Sequence, residues 1–325
     1  MIMSTCAPSP FDHPKADIIL RSADGVDFCV FKLFLTLASP FFETMFELPQ
    51  PADGTGDDTK DGLPVIPVPE DSKTLDTFLR FCYPSTLAED PLLDSLADIL
   101  AILGAAKKYS LDLIEKKVCQ ALVNHKVLEA EPLRCFAIAY NARLKHETIT
   151  AARYTLRQPL IPAWFEEIEL ITASDLLALL TYHKKCAIAV APLRANLDWV
   201  TNHYGSLNSC KWLVPEMQNP NRSYYGTPDP TTCSCGRSTQ AEFMLWNNTS
   251  VSWWATYMKE TFELLRDTPC RDIVKSEAEK TIQKVRGAGC TLCSARVKEN
   301  MEEFSELLAL NVEKATASIE LEMHF

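Results

Sequence analysis

A chain of 325 residues, 47% apolar and 23% charged, has the length for two domains or three small ones, each with its own buried core. Its net charge is −11, and residues 1–128 alone hold 19 acids against 11 bases. That balance disfavours a nucleic-acid binder, whose electrostatic footprint is a basic stripe. The remaining residues are nearly even, 24 acids against 21 bases. No unbroken run of about 18 or more apolar residues occurs, so no membrane span is expected. The opening MIMSTCAPSPFDHPKA lacks the basic flank and apolar stretch of an export signal, so an intracellular protein, in cytoplasm, nucleus or both, is expected. There the twelve cysteines are expected as reduced thiols or metal ligands. The Asn-x-Ser/Thr triplets at Asn221, Asn247 and Asn248 are expected to carry no glycan.

Residues 1–15, with Pro8, Pro10 and Pro14, read as a flexible, mostly extended tail. Asp17-Ile18-Ile19-Leu20 and Phe28-Cys29-Val30-Phe31 then read as two strands joined by a turn at Asp24-Gly25, where glycine accepts the positive φ a tight hairpin needs. Ser39-Pro40 reads as a helix N-cap followed by proline in the first turn, with Phe42, Met45 and Phe46 at helical spacing behind it. Residues 49–62, rich in Pro, Gly and Asp, read as a solvated loop, and Val65-Ile66-Pro67-Val68 as an edge strand. Asp71 or Ser72 caps a helix carrying Leu75, Phe78, Leu79 and Cys82. Ser95 and Asp98 form a variant capping box before a helix carrying Leu96, Ile99, Leu100 and Leu103. Leu111, Ile114, Val118 and Leu122 predict one more helix. Hairpin, helices, edge strand and helices again describe an α+β domain, a small sheet covered by helices.

Four blocks in this order carry a resemblance. ADIILRSADGVDFCVFKLFLTLASPFFETMF, then VPVPEDSKTLDTFLRFCYP, then LADILAILGAAKKY and SLDLIEKKV, resemble the BTB/POZ domain over roughly residues 16–127. The whole layout is similar to BTB proteins abundant in mushroom-forming fungi. The resemblance implies a protein-binding module whose partners are a second copy of itself, a transcriptional corepressor or the cullin scaffold of a ubiquitin ligase. Charge and hydropathy, as above, lead to the expectation of no nucleic-acid and no membrane partner. The resemblance also implies an interface on residues 32–47, with Lys32, Leu35, Phe41, Phe42, Met45 and Phe46 as candidate contacts. A short tail with three prolines departs from the swapped N-terminal strand that the family uses in dimers. No kelch repeat, MATH domain or other internal repeat is visible as a substrate reader.

Residues 128–203 read as a helical extension similar in layout to the BACK region of adaptor BTB proteins, with helix starts at Glu131-Pro132 and at Ser174 or Asp175 and a boundary at Pro192. Residues 204–325 read as a helical, cysteine-containing C-terminal region. It begins with an irregular stretch over 204–235, and a helix is expected from about Ala241 through Trp253 and Trp254. The last helix, 291–322, carries a narrow seam of Val297, Met301, Phe304, Leu308, Val312, Ala315 and Ile319. That seam suits packing on the preceding helices or a coiled coil.

No nucleophile elbow, phosphate loop, dinucleotide fingerprint or zinc-protease motif is present, so a non-enzymatic protein is expected. Cysteine carries the one chemical signal. Cys290-x-x-Cys293 follows Gly287-Ala288-Gly289 and opens a helix, as a zinc knuckle does, and Cys233-x-Cys235-Gly236 supplies a second close pair. Cys233, Cys235, Cys290 and Cys293 are therefore candidate ligands of a structural zinc, with Cys210, His183 and Cys186 in reserve. Packing thiols, or a redox-active or metal-dependent enzyme centred on Cys290 and Cys293, are the other readings of these residues.

Overall fold

The computed structural model describes residues 5–48, 59–93, 95–159, 164–216, 232–239 and 241–325. Most of the loop expected over 49–62, Asn221 and the centre of the irregular stretch at 204–235 lie outside these residues. The chain divides into two compact units, Met1–Ala151 and Ala152–Phe325. The stretch 128–203, read as one extension, falls on both sides of that division.

The first unit opens with β1 (Thr5–Cys6), β2 (Ile18–Arg21) and β3 (Val26–Val30), then α1 (Lys32–Ala38) and α2 (Pro40–Glu47). β4 (Thr59–Lys60) and β5 (Leu63–Pro67) complete a five-stranded sheet in the order β1-β3-β2-β5-β4. β2 and β3 are antiparallel, with Ile19 opposite Cys29, and Gly25 turns the hairpin at φ 84°. β5 runs parallel to β2, pairing Ile19 with Val65. It is not the edge strand its prolines suggested, because the two-residue β4 pairs along its other side.

Residues 5–15 correct the expected flexible tail. Ala7 N–H donates to the Asp27 carbonyl, Cys29 N–H donates to the Phe11 carbonyl, and the Ala7 and Phe11 side chains are buried. The three prolines sit outside these donor positions, so they cost the pairing nothing.

Helices α3 (Ser72–Cys82), α4 (Leu96–Lys108), α5 (Asp112–Leu122), α6 (His125–Ala130), α7 (Pro132–Asn141) and α8 (Lys145–Thr155) follow. Asp71 caps α3 by accepting from Thr74 N–H. Ser95 makes no side-chain cap on α4, and Asp98 pairs with Lys73 instead. Phe42, Phe78 and Tyr109 stack at the centre of the helical layer, with Phe42 and Tyr109 ring centroids 5.0 Å apart. One charged group sits inside this unit. Asp27, fully buried, takes Arg21 at 2.6 Å and Lys60 at 2.7 Å, tying β2, β3 and β4 together.

The second unit contains α9 (Ala173–Val190), α10 (Pro192–Ala195), α11 (Asp198–Tyr204), a two-stranded ribbon of β6 (Met244–Leu245) and β7 (Asn248–Thr249), then α12 (Ser252–Leu264), α13 (Arg271–Gly287) and α14 (Thr291–Ala317). The helix expected from Ala241 is therefore a short 3-10 turn and a ribbon, with Trp246 and Asn247 at positive φ between the strands; α12 starts only at Ser252. Thr172, not Ser174 or Asp175, caps α9. Its hydroxyl accepts from Asp175 N–H while the Asp175 carboxylate accepts from Thr172 N–H.

Phe304 on α14 is the hub of this core. Trp199, Trp212, Trp254 and Tyr257 all set their rings within 6.1 Å of it. The seam of α14, Val297, Met301, Phe304, Leu308 and Val312, is buried inside the unit, where α14 lies along α13 and against α9. It serves packing within the chain and leaves no stripe for a coiled coil. By length and composition alone, Ala173–Ala195 is long and apolar enough to cross a membrane, a property the count of unbroken apolar residues passed over because Lys184 and Lys185 interrupt it. Leu179, Tyr182, His183, Cys186 and Val190 are its buried face.

Candidate metal centre and interaction face

The second cysteine pair of the centre sits where α13 ends. Gly289, at φ 79°, turns the chain into Cys290, the N-cap residue of α14, and Cys293 follows one turn later. The first pair lies on a loop fixed by backbone hydrogen bonds. Cys233 N–H donates to Glu216 O, Ser238 N–H to Ser250 O, and Ser252 N–H to Gly236 O; the Ser252 hydroxyl donates to Cys235 O. Gly236, at φ 78°, makes the turn after Cys235.

These two anchored turns bring Cys233, Cys235, Cys290 and Cys293 together, with all four sulfurs within 4.8 Å of one another. Cys233 Sγ lies 3.5 Å from Cys293 Sγ and 3.9 Å from Cys290 Sγ. Disulfide sulfurs would be about 2.05 Å apart. Four thiolates about 2.3 Å from one tetrahedral ion would be separated by about 3.8 Å, so the spacing fits a single shared cation.

The electrostatics point the same way. Burial pushes the Cys235 thiol far up, and the neighbouring Cys293 and Cys233 push it further. Burial likewise raises Cys293 to about 12, against the opposing effect of the Trp253 indole. Burial also works against ionisation of Cys290, yet the Cys293 N–H, Ser234 and Cys235 bring it down to about 6. One sulfur is thus ready to ionise, while burial first, and the neighbouring sulfurs after it, hold two others protonated. A divalent cation reverses that balance, turning mutual repulsion into coordination. The Trp253 indole N–H, buried and without a hydrogen-bond partner among the described residues, is a donor beside this group that a thiolate would accept.

The reserve ligands stay apart from this group. Cys210 is buried in the apolar core, and burial raises it to about 12. His183 donates from Nε2 to the Thr155 carbonyl at 3.3 Å, and Cys186 is buried beside Tyr182. Of the cysteines on the first unit's apolar faces, Cys135 is fully buried, whereas Cys29, Cys82 and Cys119 are half-buried.

On the first unit, the candidate contacts at 32–47 separate into two sets. Leu35 and Phe42 are fully buried and belong to the core, where Phe42 stacks with Phe78 of α3 and with Tyr109. Lys32, Met45 and Phe46 are half-buried, with the Lys32 ammonium 5.6 Å from the Phe46 ring centre. Phe41 is 39% exposed. The sequence reading missed Leu33 and Leu37 on α1, exposed at 61% and 77% and one helical turn apart. The signal was there, since KLFLTLA is apolar on every face and a seven-residue helix cannot bury all of them.

The first unit is a small sheet with helices laid over it, and Leu33 and Leu37 are exposed on its first helix. Residues 11–126 match the BTB/POZ domain family, so the N-terminal unit carries a BTB/POZ domain, a module that binds other proteins. No curated protein matches the chain.

Proposed function

We propose that this chain is a non-enzymatic, intracellular scaffold that binds partner proteins through its BTB/POZ domain, while a structural zinc held by Cys233, Cys235, Cys290 and Cys293 staples the helical C-terminal unit. The observation that carries the interaction role is the exposure of Leu33 and Leu37 on α1, with Phe41 partly exposed on α2, in a matched BTB/POZ domain. Exposed leucines at two successive turns present apolar area that a partner surface would remove from water. Zinc supplies no chemistry here beyond cross-linking, because four thiolates leave no open position for substrate or water. Charge favours protein over nucleic acid as partner, as the first 128 residues carry 19 acids against 11 bases.

A second copy of the chain is the partner tested first. Native mass spectrometry of the full chain should give a multiple of 36.5 kDa that falls to the single-chain mass in Leu33→Glu/Leu37→Glu, with the circular dichroism spectrum unchanged. A variant that remains associated would remove this face from the interface. A wild type that is monomeric but retains a cullin scaffold, with retention lost in the same variant, would move the role to a ubiquitin-ligase adaptor.

A further inference from the structure

Beside the cysteine group the second unit holds a cavity of about 410 Å³ that neither scaffolding nor metal binding uses. Its volume lies in the range of small-molecule sites, about 300–1,000 Å³. Its lining comes from residues 207–216, from Trp253 of α12 and from Leu292 to Asn300 of α14. Trp212 and Trp253 stack on each other there, ring centroids 5.9 Å apart and planes 16° from parallel, and bring aromatic surface to the lining. The polar lining is mainly of hydrogen-bond donors: Lys211 and Arg296 are exposed cations, Asn208 and Asn300 are amides, and Glu216 is the single carboxylate. Neither Lys211 nor Arg296 is engaged in an ion pair among the described residues.

We propose that this cavity binds a small organic anion, a flat apolar body carrying a carboxylate or sulfonate, with the body on the Trp212 and Trp253 surface and the anionic group at Lys211 and Arg296. Two indoles in the lining favour a planar apolar body, because stacking and apolar contact add without demanding directed hydrogen bonds. Two cations and two amides against one acid favour a negative head, and the arginine fork suits a carboxylate in two-point contact. The inference is independent of the BTB/POZ role. It touches the metal centre through Cys293 and through Trp253, both of which line the cavity.

The test titrates the full chain, with zinc content measured beforehand, using 1-naphthoate and its neutral counterpart 1-naphthalenemethanol, followed by calorimetry and tryptophan fluorescence. The expected result is saturable binding of one naphthoate per chain. Affinity should be about tenfold or more weaker for the alcohol and for Lys211→Ala/Arg296→Ala, since a charge-assisted pair is what both remove. Both altered residues are exposed, so the variant should keep the wild-type melting temperature and zinc content. No saturable binding, equal affinity for acid and alcohol, or undiminished affinity in the double variant would each overturn the proposal. Loss of zinc with naphthoate binding intact would instead count against the metal centre alone.

Discussion

At the scale of single residues, four sulfurs and one imidazole carry the consequences. Removing one thiolate from a four-sulfur set leaves three ligands and an open position, which converts a closed site into a leaky one. Cys293→Ser should therefore lower the zinc that survives dialysis against a chelator from one ion per chain to none, measured by elemental analysis. His183 gives a pH dependence whose sign is fixed by burial. Desolvation lowers its pKa below the ordinary value of 6.5, outweighing the Thr155 carbonyl and the more distant Asp267. Below pH 6.5 the unfolded chain takes up a proton that the folded chain refuses, so stability falls as pH drops through 6.5 and levels off once the folded pKa is passed. His183→Gln keeps a donor for Thr155 and removes the titration. Between pH 7 and 5 the wild type should lose stability relative to this variant, by up to about 1.4 kcal/mol per pH unit, read from urea melts.

At the scale of elements, the hinge between α1 and α2 shows how much one side chain settles. The Ser39 hydroxyl accepts from Phe41 N–H and Phe42 N–H, capping α2, and donates to the buried carbonyl of Tyr109 at the end of α4. Ser39→Ala removes a cap and strands a carbonyl, and should destabilise the first unit by about 2 kcal/mol in chemical denaturation. The cap was legible in Ser39-Pro40, because local capping chemistry is written in adjacent residues. The Tyr109 contact was not, since it joins positions 70 apart in the chain. The same contrast explains α9 and α4. Their caps were assigned to neighbours of the right chemistry, and the structure used Thr172 for one and no side chain for the other. Several candidate cap residues within three positions are equivalent until tertiary packing sets where the helix axis begins.

At the scale of the whole molecule, two compact units with separate cores predict two kinds of unfolding. A structural ion binds the folded form of its own unit and stabilises that unit by linkage. Chelation should thus lower the melting temperature of one calorimetric transition by about ten degrees or more while leaving a transition of the BTB/POZ unit in place; structural zinc is worth about 10 kcal/mol in small domains. A single transition that ignores the chelator would remove zinc from the architecture.

The sequence by itself determined the class of the first unit, since its hairpin, caps and apolar periodicities are short-range patterns that recur in order. It also determined which cysteines were candidates, because Cys290-x-x-Cys293 and Cys233-x-Cys235 each converge through a local turn. Only the tertiary structure decided that the two pairs, 57 to 60 positions apart, meet within hydrogen-bond range of one another while Cys210, Cys186 and His183 do not. It alone decided that Leu35 and Phe42 face inward while Leu33 and Leu37 face out. Burial is a property of which surfaces meet, and neither composition nor periodicity in a helix of seven residues contains that information.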